Sequence, residues 1–141
     1  HTMSYTQFVA TAFCTVHDGF NLESYLNAIS KRCVKENNFI AEEYGVNEDQ
    51  VDVEFDTYVR MVGSNVLIEC DTEENNNNSD VWDWLVDQFV PIMISDLMEI
   101  KSATIDSRSG VDVDITYLTK TGDMITTNDL LENYKNSMSQ L

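Results

Sequence analysis

The chain has 141 residues, a length that suits one domain, and carries a net charge of −17 at pH 7. With 43% hydrophobic residues and one proline it is too apolar for a disordered acidic tail, and no apolar run reaches the roughly 18 residues that a membrane-spanning helix needs. That charge repels nucleic acid and anionic membranes and attracts basic partners.

His1 and Thr2 precede Met3 and read as a cloning scar, which leaves residues 3–136 as a single domain and 137–141 as a tail expected to fray. No basic-then-apolar leader is evident. The three cysteines, Cys14, Cys33 and Cys70, are odd in number and scattered, as in a cytoplasmic protein with reduced thiols.

Residues 4–16 are rich in β-branched and aromatic types, with apolar groups on both faces, and predict a central strand. His17-Asp18-Gly19 turns the chain, and Asn21 can cap a helix. Leu22, Leu26, Ile29, Cys33, Ile40 and Tyr44 share a helical stripe, so this helix runs from 22 to 44 or breaks at Asn37-Asn38. Lys31, Arg32 and Lys35 form a basic cluster on its solvent side.

Residues 50–60 alternate, with Val51, Val53, Phe55 and Val59 on one face and Asp52, Glu54 and Asp56 on the other. That pattern predicts a half-buried strand, with Val66–Asp71 returning as a hairpin. Residues 71–80 are a polar loop expected to be mobile. A second helix is predicted from Ser79 or Asp80 to Ile100, kinked at Pro91. Asp80, Asp83 and Asp87 lie on its polar arc with Trp84 among them. Ala103–Ser107, Val111–Thr119 and Met124–Thr126 predict strands, and Thr127 or Asn128 can cap a last helix through Leu130, Leu131 and Tyr134.

The expected fold class is therefore α+β: an antiparallel sheet with helices packed on one face. Its β-α-β-β-α-β core matches the ferredoxin-like arrangement, with a hairpin strand and helix added at the C-terminus.

No catalytic motif stands out. Cys14 and His17 point to opposite faces of a strand, so a thiol–imidazole pair would need His17 to meet Cys33 or Cys70 instead. Cys14, His17, Cys33 and Cys70 offer zinc donors, but without a Cys-x-x-Cys pair. Asp71, Glu73, Asn75, Asn77 and Ser79 alternate as in a calcium loop, yet Asn76 and Trp82 replace the glycine and the bidentate glutamate. No metal or other cofactor is expected, and no enzymatic activity.

The charge pattern carries more. Between Glu36 and Glu99 stand seventeen of the twenty-five acids and a single base, Arg60. Asp52, Glu54 and Asp56 would repeat every ~6.8 Å along a strand, near the spacing of backbone phosphates. Asp80, Asp83 and Asp87 would extend that surface, with Trp84 as an apolar anchor and Tyr58 a weaker one. In composition, not in sequence, the chain is similar to small acidic phage inhibitors of nucleic-acid enzymes and to the acidic immunity proteins of toxin systems.

The leading expectation is a non-enzymatic inhibitor that occupies a basic surface of a nucleic-acid-binding enzyme or a toxin, in the manner of a DNA mimic, without binding nucleic acid itself. A chaperone or assembly adaptor, predicted to be a homodimer through the 81–100 helix or an open sheet edge, is the second reading. A small ligand-binding or enzymatic domain with a concave pocket is the third.

Overall fold

Strand β1 (Thr6–Thr15) is the axis of the molecule. In a computed structural model, which describes residues 6–36, 40, 55–73 and 78–140, it pairs antiparallel with β3 (Asn65–Glu73) on one side and β4 (Leu97–Asp106) on the other. β2 (Val59–Val62) closes one edge, and β5 (Gly110–Thr119) and β6 (Met124–Thr126) extend the other. The strand order is β2-β3-β1-β4-β5-β6, antiparallel throughout. The helices are α1 (Leu22–Glu36), α2 (Asn78–Phe89) and α3 (Thr127–Ser139). The fold is mixed α+β, an antiparallel sheet with helices packed on it.

The register explains the core. Ala12 of β1 sits between Ile68 of β3 and Ile100 of β4, so even-numbered residues of all three strands share a face. Ala10, Ala12, Cys14, Val66, Ile68, Cys70, Met98 and Ile100 are all buried there. α1 lays Leu26, Ile29 and Cys33 on this face, and α2 lays Val81, Trp82, Leu85, Val86 and Phe89. Each such burial contributes about 1.5–3 kcal/mol for a large side chain. The two helices lie side by side: the Tyr25 and Phe89 rings are 5.2 Å apart, and the Tyr25 hydroxyl donates to the Gln88 carbonyl.

Four stretches differ from the sequence reading. Within the strand predicted at 50–60, Phe55–Thr57 form a 3-10 turn and β2 begins only at Val59; residues 50–54 lie outside the described residues. The turn is fixed where the Tyr58 amide donates to the Phe55 carbonyl at 2.9 Å. The long second helix stops at Phe89, because Pro91 has no amide to continue it. A 3-10 turn at Val90–Ile92 follows, and Leu97–Asp106 is a strand whose Met98 and Ile100 alternate into the core. Residues 71–73 extend β3 instead of opening the loop. The cap of α3 is Thr126, whose hydroxyl accepts from the Asp129 amide while the Asp129 carboxylate accepts from the Thr126 amide. The helix then runs through Ser139, past the point where fraying is predicted.

No helix among the described residues is long and apolar enough to cross a membrane.

Candidate functional site

α2 carries the strongest charge feature. Its apolar residues Val81, Trp82, Leu85, Val86 and Phe89 repeat at helical spacing and fix which side faces the sheet. Trp82 fixes it further: its indole Nε1 donates to the Ile68 carbonyl at 3.1 Å, and its ring meets Phe8 edge-on at 6.4 Å. Asp80, Asp83 and Asp87 are thereby turned to solvent. Together with Trp84 they line a shallow depression of about 460 Å³.

Trp84 is half-buried, and one ring face stacks on Phe55 with centroids 5.6 Å apart and planes at 26°. No local pattern signals this contact, because Phe55 reads as a strand residue in the sequence. Gln88 closes the end of the helix: its side-chain amide donates to the Trp84 carbonyl at 3.2 Å, and its Oε1 accepts from Arg32. Arg32 thus spends its guanidinium on an uncharged partner.

Among the described residues, none of the three α2 carboxylates has an ion pair. Partial burial pushes Asp83 above its ordinary value of 3.8, and the charges of Asp80 and Asp87 push it further. Asp87 is raised as well, by partial burial. A cation placed beside these carboxylates would oppose both shifts by favouring the ionised form.

The other acids of the 36–99 block are elsewhere. Glu69 and Asp71 point to the sheet face opposite α2, as the alternation along β3 requires. Glu69 pairs with Arg60 at 2.8 Å, Glu99 with Lys101 at 3.3 Å, and Asp96 with Lys120 at 3.9 Å. Asp71 accepts from Gln7 at 2.6 Å. The described acids therefore do not form one continuous surface. Asp52 and Glu54 lie outside the described residues, and the backbone of Asp56 sits in the 3-10 turn, so the evenly spaced acidic strand has no support there. Tyr58 does not join the α2 cluster. It borders a second depression, about 640 Å³, on the open sheet face with Thr57, Val9, Thr11, Lys101 and Val113.

No family model, curated protein or solved structure matches the chain. The site is therefore read from its own chemistry.

The thiols are poorly suited to nucleophilic work. All three are buried and free. Burial raises Cys14 to about 11, and burial with the nearby Asp83 and Asp71 charges raises Cys70 to about 11, the reverse of an activated thiolate. His17 is exposed, with its Nδ1 2.9 Å from the Asp18 carbonyl. Among the described residues no three His, Cys, Asp or Glu side chains are grouped to hold a metal ion. Asp71 and Glu73 of the calcium-loop pattern lie in β3 and Ser79 lies in α2, while Asn75 and Asn77 fall outside the described residues.

Proposed function

We propose that this is a non-enzymatic binding protein that uses the outer face of α2 to occupy a basic surface on another protein. The observation that carries the reading is the grouping of Asp80, Asp83 and Asp87, unpaired among the described residues, around half-buried Trp84. Charge supplies steering and Trp84 supplies desolvated contact area. The carboxylates step about 4.5 and 6 Å along the helix axis, an irregular row that suits arginine and lysine side chains of a phosphate-reading cleft. A nucleic-acid-binding enzyme or a toxin is the kind of partner that bears such a cleft, and occupying it would inhibit that partner.

We also propose that the core is ferredoxin-like. The order β2-β3-β1-β4, with α1 and α2 on one face, supports this reading. Its role is to hold α2 rigidly, through Trp82 and Phe89, so that the acidic face is pre-formed.

Affinity capture with the tagged chain at low and high salt tests the function. A partner should be retained at low salt, released at high salt, and lost with the triple change Asp80→Lys, Asp83→Lys, Asp87→Lys. Undiminished capture by that variant, with its fold confirmed by circular dichroism, would remove the reading.

A further inference from the structure

α3 stands apart from the core. None of its residues is buried, and its apolar stripe is left in water: Leu131 is 50% exposed, Tyr134 63% and Met138 50%. A helix of 13 residues is marginal in water unless an apolar face is covered. Asn128, Asn133, Asn136, Ser137 and Ser139 are weak helix formers, so propensity does not rescue it. The capping box at Thr126 and Asp129 secures only the first turn.

The open sheet face shows the matching defect. Register places Val9, Ala103 and Val113 in one row, with Ile105 and Val111 in the next. Val111 and Val113 are each 64% exposed and Ile115 40%. The same strand has no strand partner along its outer edge from 110 to 115 among the described residues, because β6 pairs only with Thr116–Leu118, although the Ile115 carbonyl accepts from the Thr127 hydroxyl at 3.3 Å.

We propose that the chain forms a two-fold homodimer in which the Leu131–Tyr134–Met138 stripe of each α3 covers Val111, Val113 and Ile115 of the other copy. The area fits. Six half-exposed side chains of this size present at most about 400 Å² of apolar surface per protomer, close to the apolar share of the ~800 Å² per partner that a specific interface needs. A two-fold axis buries both defects at once, because each copy supplies one helix and one sheet face. Edge pairing of β5 with itself is disfavoured by Asp112 and Asp114, which would face like charges across the new ladder. The interface lies away from the acidic face of α2 and does not depend on what that face binds.

Sedimentation velocity and circular dichroism over a concentration series test the proposal. The wild-type chain should pass from monomer to dimer as concentration rises. The dimer should strengthen with salt, since each copy is strongly negative. Helicity should fall on dilution in step with the mass, as α3 loses its cover. Val113→Asn and Tyr134→Ser, both at exposed positions, should each raise the dissociation constant at least ~10-fold, whereas Asp83→Asn should not weaken the dimer. A chain that stays monomeric at every concentration and salt overturns the proposal, including the case where the stripe is then protected by a vesicle or by another protein. A dimer that persists in the Val113→Asn, Tyr134→Ser double variant overturns it equally.

Discussion

Asp83 is the residue whose chemistry is most constrained. Asp80 and Asp87 flank it along the helix, and the Cys70 thiol lies on the strand beneath. Its folded pKa is raised, so the ionised carboxylate disfavours the folded state, and this penalty is fully present above the folded pKa. Lowering the pH through that value towards 3.8 removes it. Asp83→Asn should therefore raise Tm by about 1–2 °C at neutral pH, a small gain because the group is exposed. The gain should vanish as the pH approaches 3.8, and thermal melts across the acid range check both statements. The same group would tie pH to the binding proposed for α2. A bound cation lowers the Asp83 pKa again, so partner affinity should start to fall at a higher pH than ordinary aspartates would give. The thiols make a second residue-scale case. Cys14 and Cys70 are raised to about 11 and Cys33 is buried. Ellman's reagent should modify none of the three quickly in the folded protein and all of them in denaturant.

The elements differ sharply in how they are held. α2 is locked by Phe89, which is fully buried against Tyr25. Phe89→Ala should cost about 3–5 kcal/mol in denaturant unfolding. α3 rests on its cap, so Thr126→Ala should remove about 1 kcal/mol of helix stability. The loss should appear as reduced helicity at low protein concentration, with the core melt little changed. What the sequence made legible follows the same division. Strand β1 was readable as central because both faces alternate apolar groups, and the outer face of α2 was readable because Asp80, Asp83 and Asp87 recur at helical spacing. Of the strand expected at 50–60, Phe55–Thr57 form a turn instead, because alternation alone cannot register the turn that Phe55 and Tyr58 close. The helix expected through Ile100 was overextended because Leu97 and Ile100 also fit a helical stripe, and only Pro91 marked the break. The Phe55–Trp84 stack is a contact between distant positions, which no local pattern encodes. The exposed stripe of α3 had a signal at Leu131 and Tyr134, but its last member, Met138, lay in the stretch assigned to the tail.

At the scale of the whole molecule the balance of charge decides stability. Three ion pairs occur among the described residues, all at the surface, and such pairs contribute about 0–1 kcal/mol each. They are outweighed by the mutual repulsion implied by a net charge of −17. Screening should therefore stabilise the fold: Tm should rise by a few degrees as sodium chloride goes from low concentration to about half molar, where the Debye length falls well below ~10 Å. The proposed dimer would also strengthen with salt and add to the rise, so the measurement belongs on the Val113→Asn, Tyr134→Ser chain at a concentration where sedimentation shows a monomer. In that background, neutralising Asp80, Asp83 and Asp87 to asparagine should reduce the salt-dependent rise, because these carboxylates have no ion pair among the described residues. A melting temperature indifferent to salt would mean that Lys31, Arg32 and Lys35 already balance the acidic face within the fold. The steering assigned to α2 would then lose its source, since a neutralised face has no field to guide a basic partner.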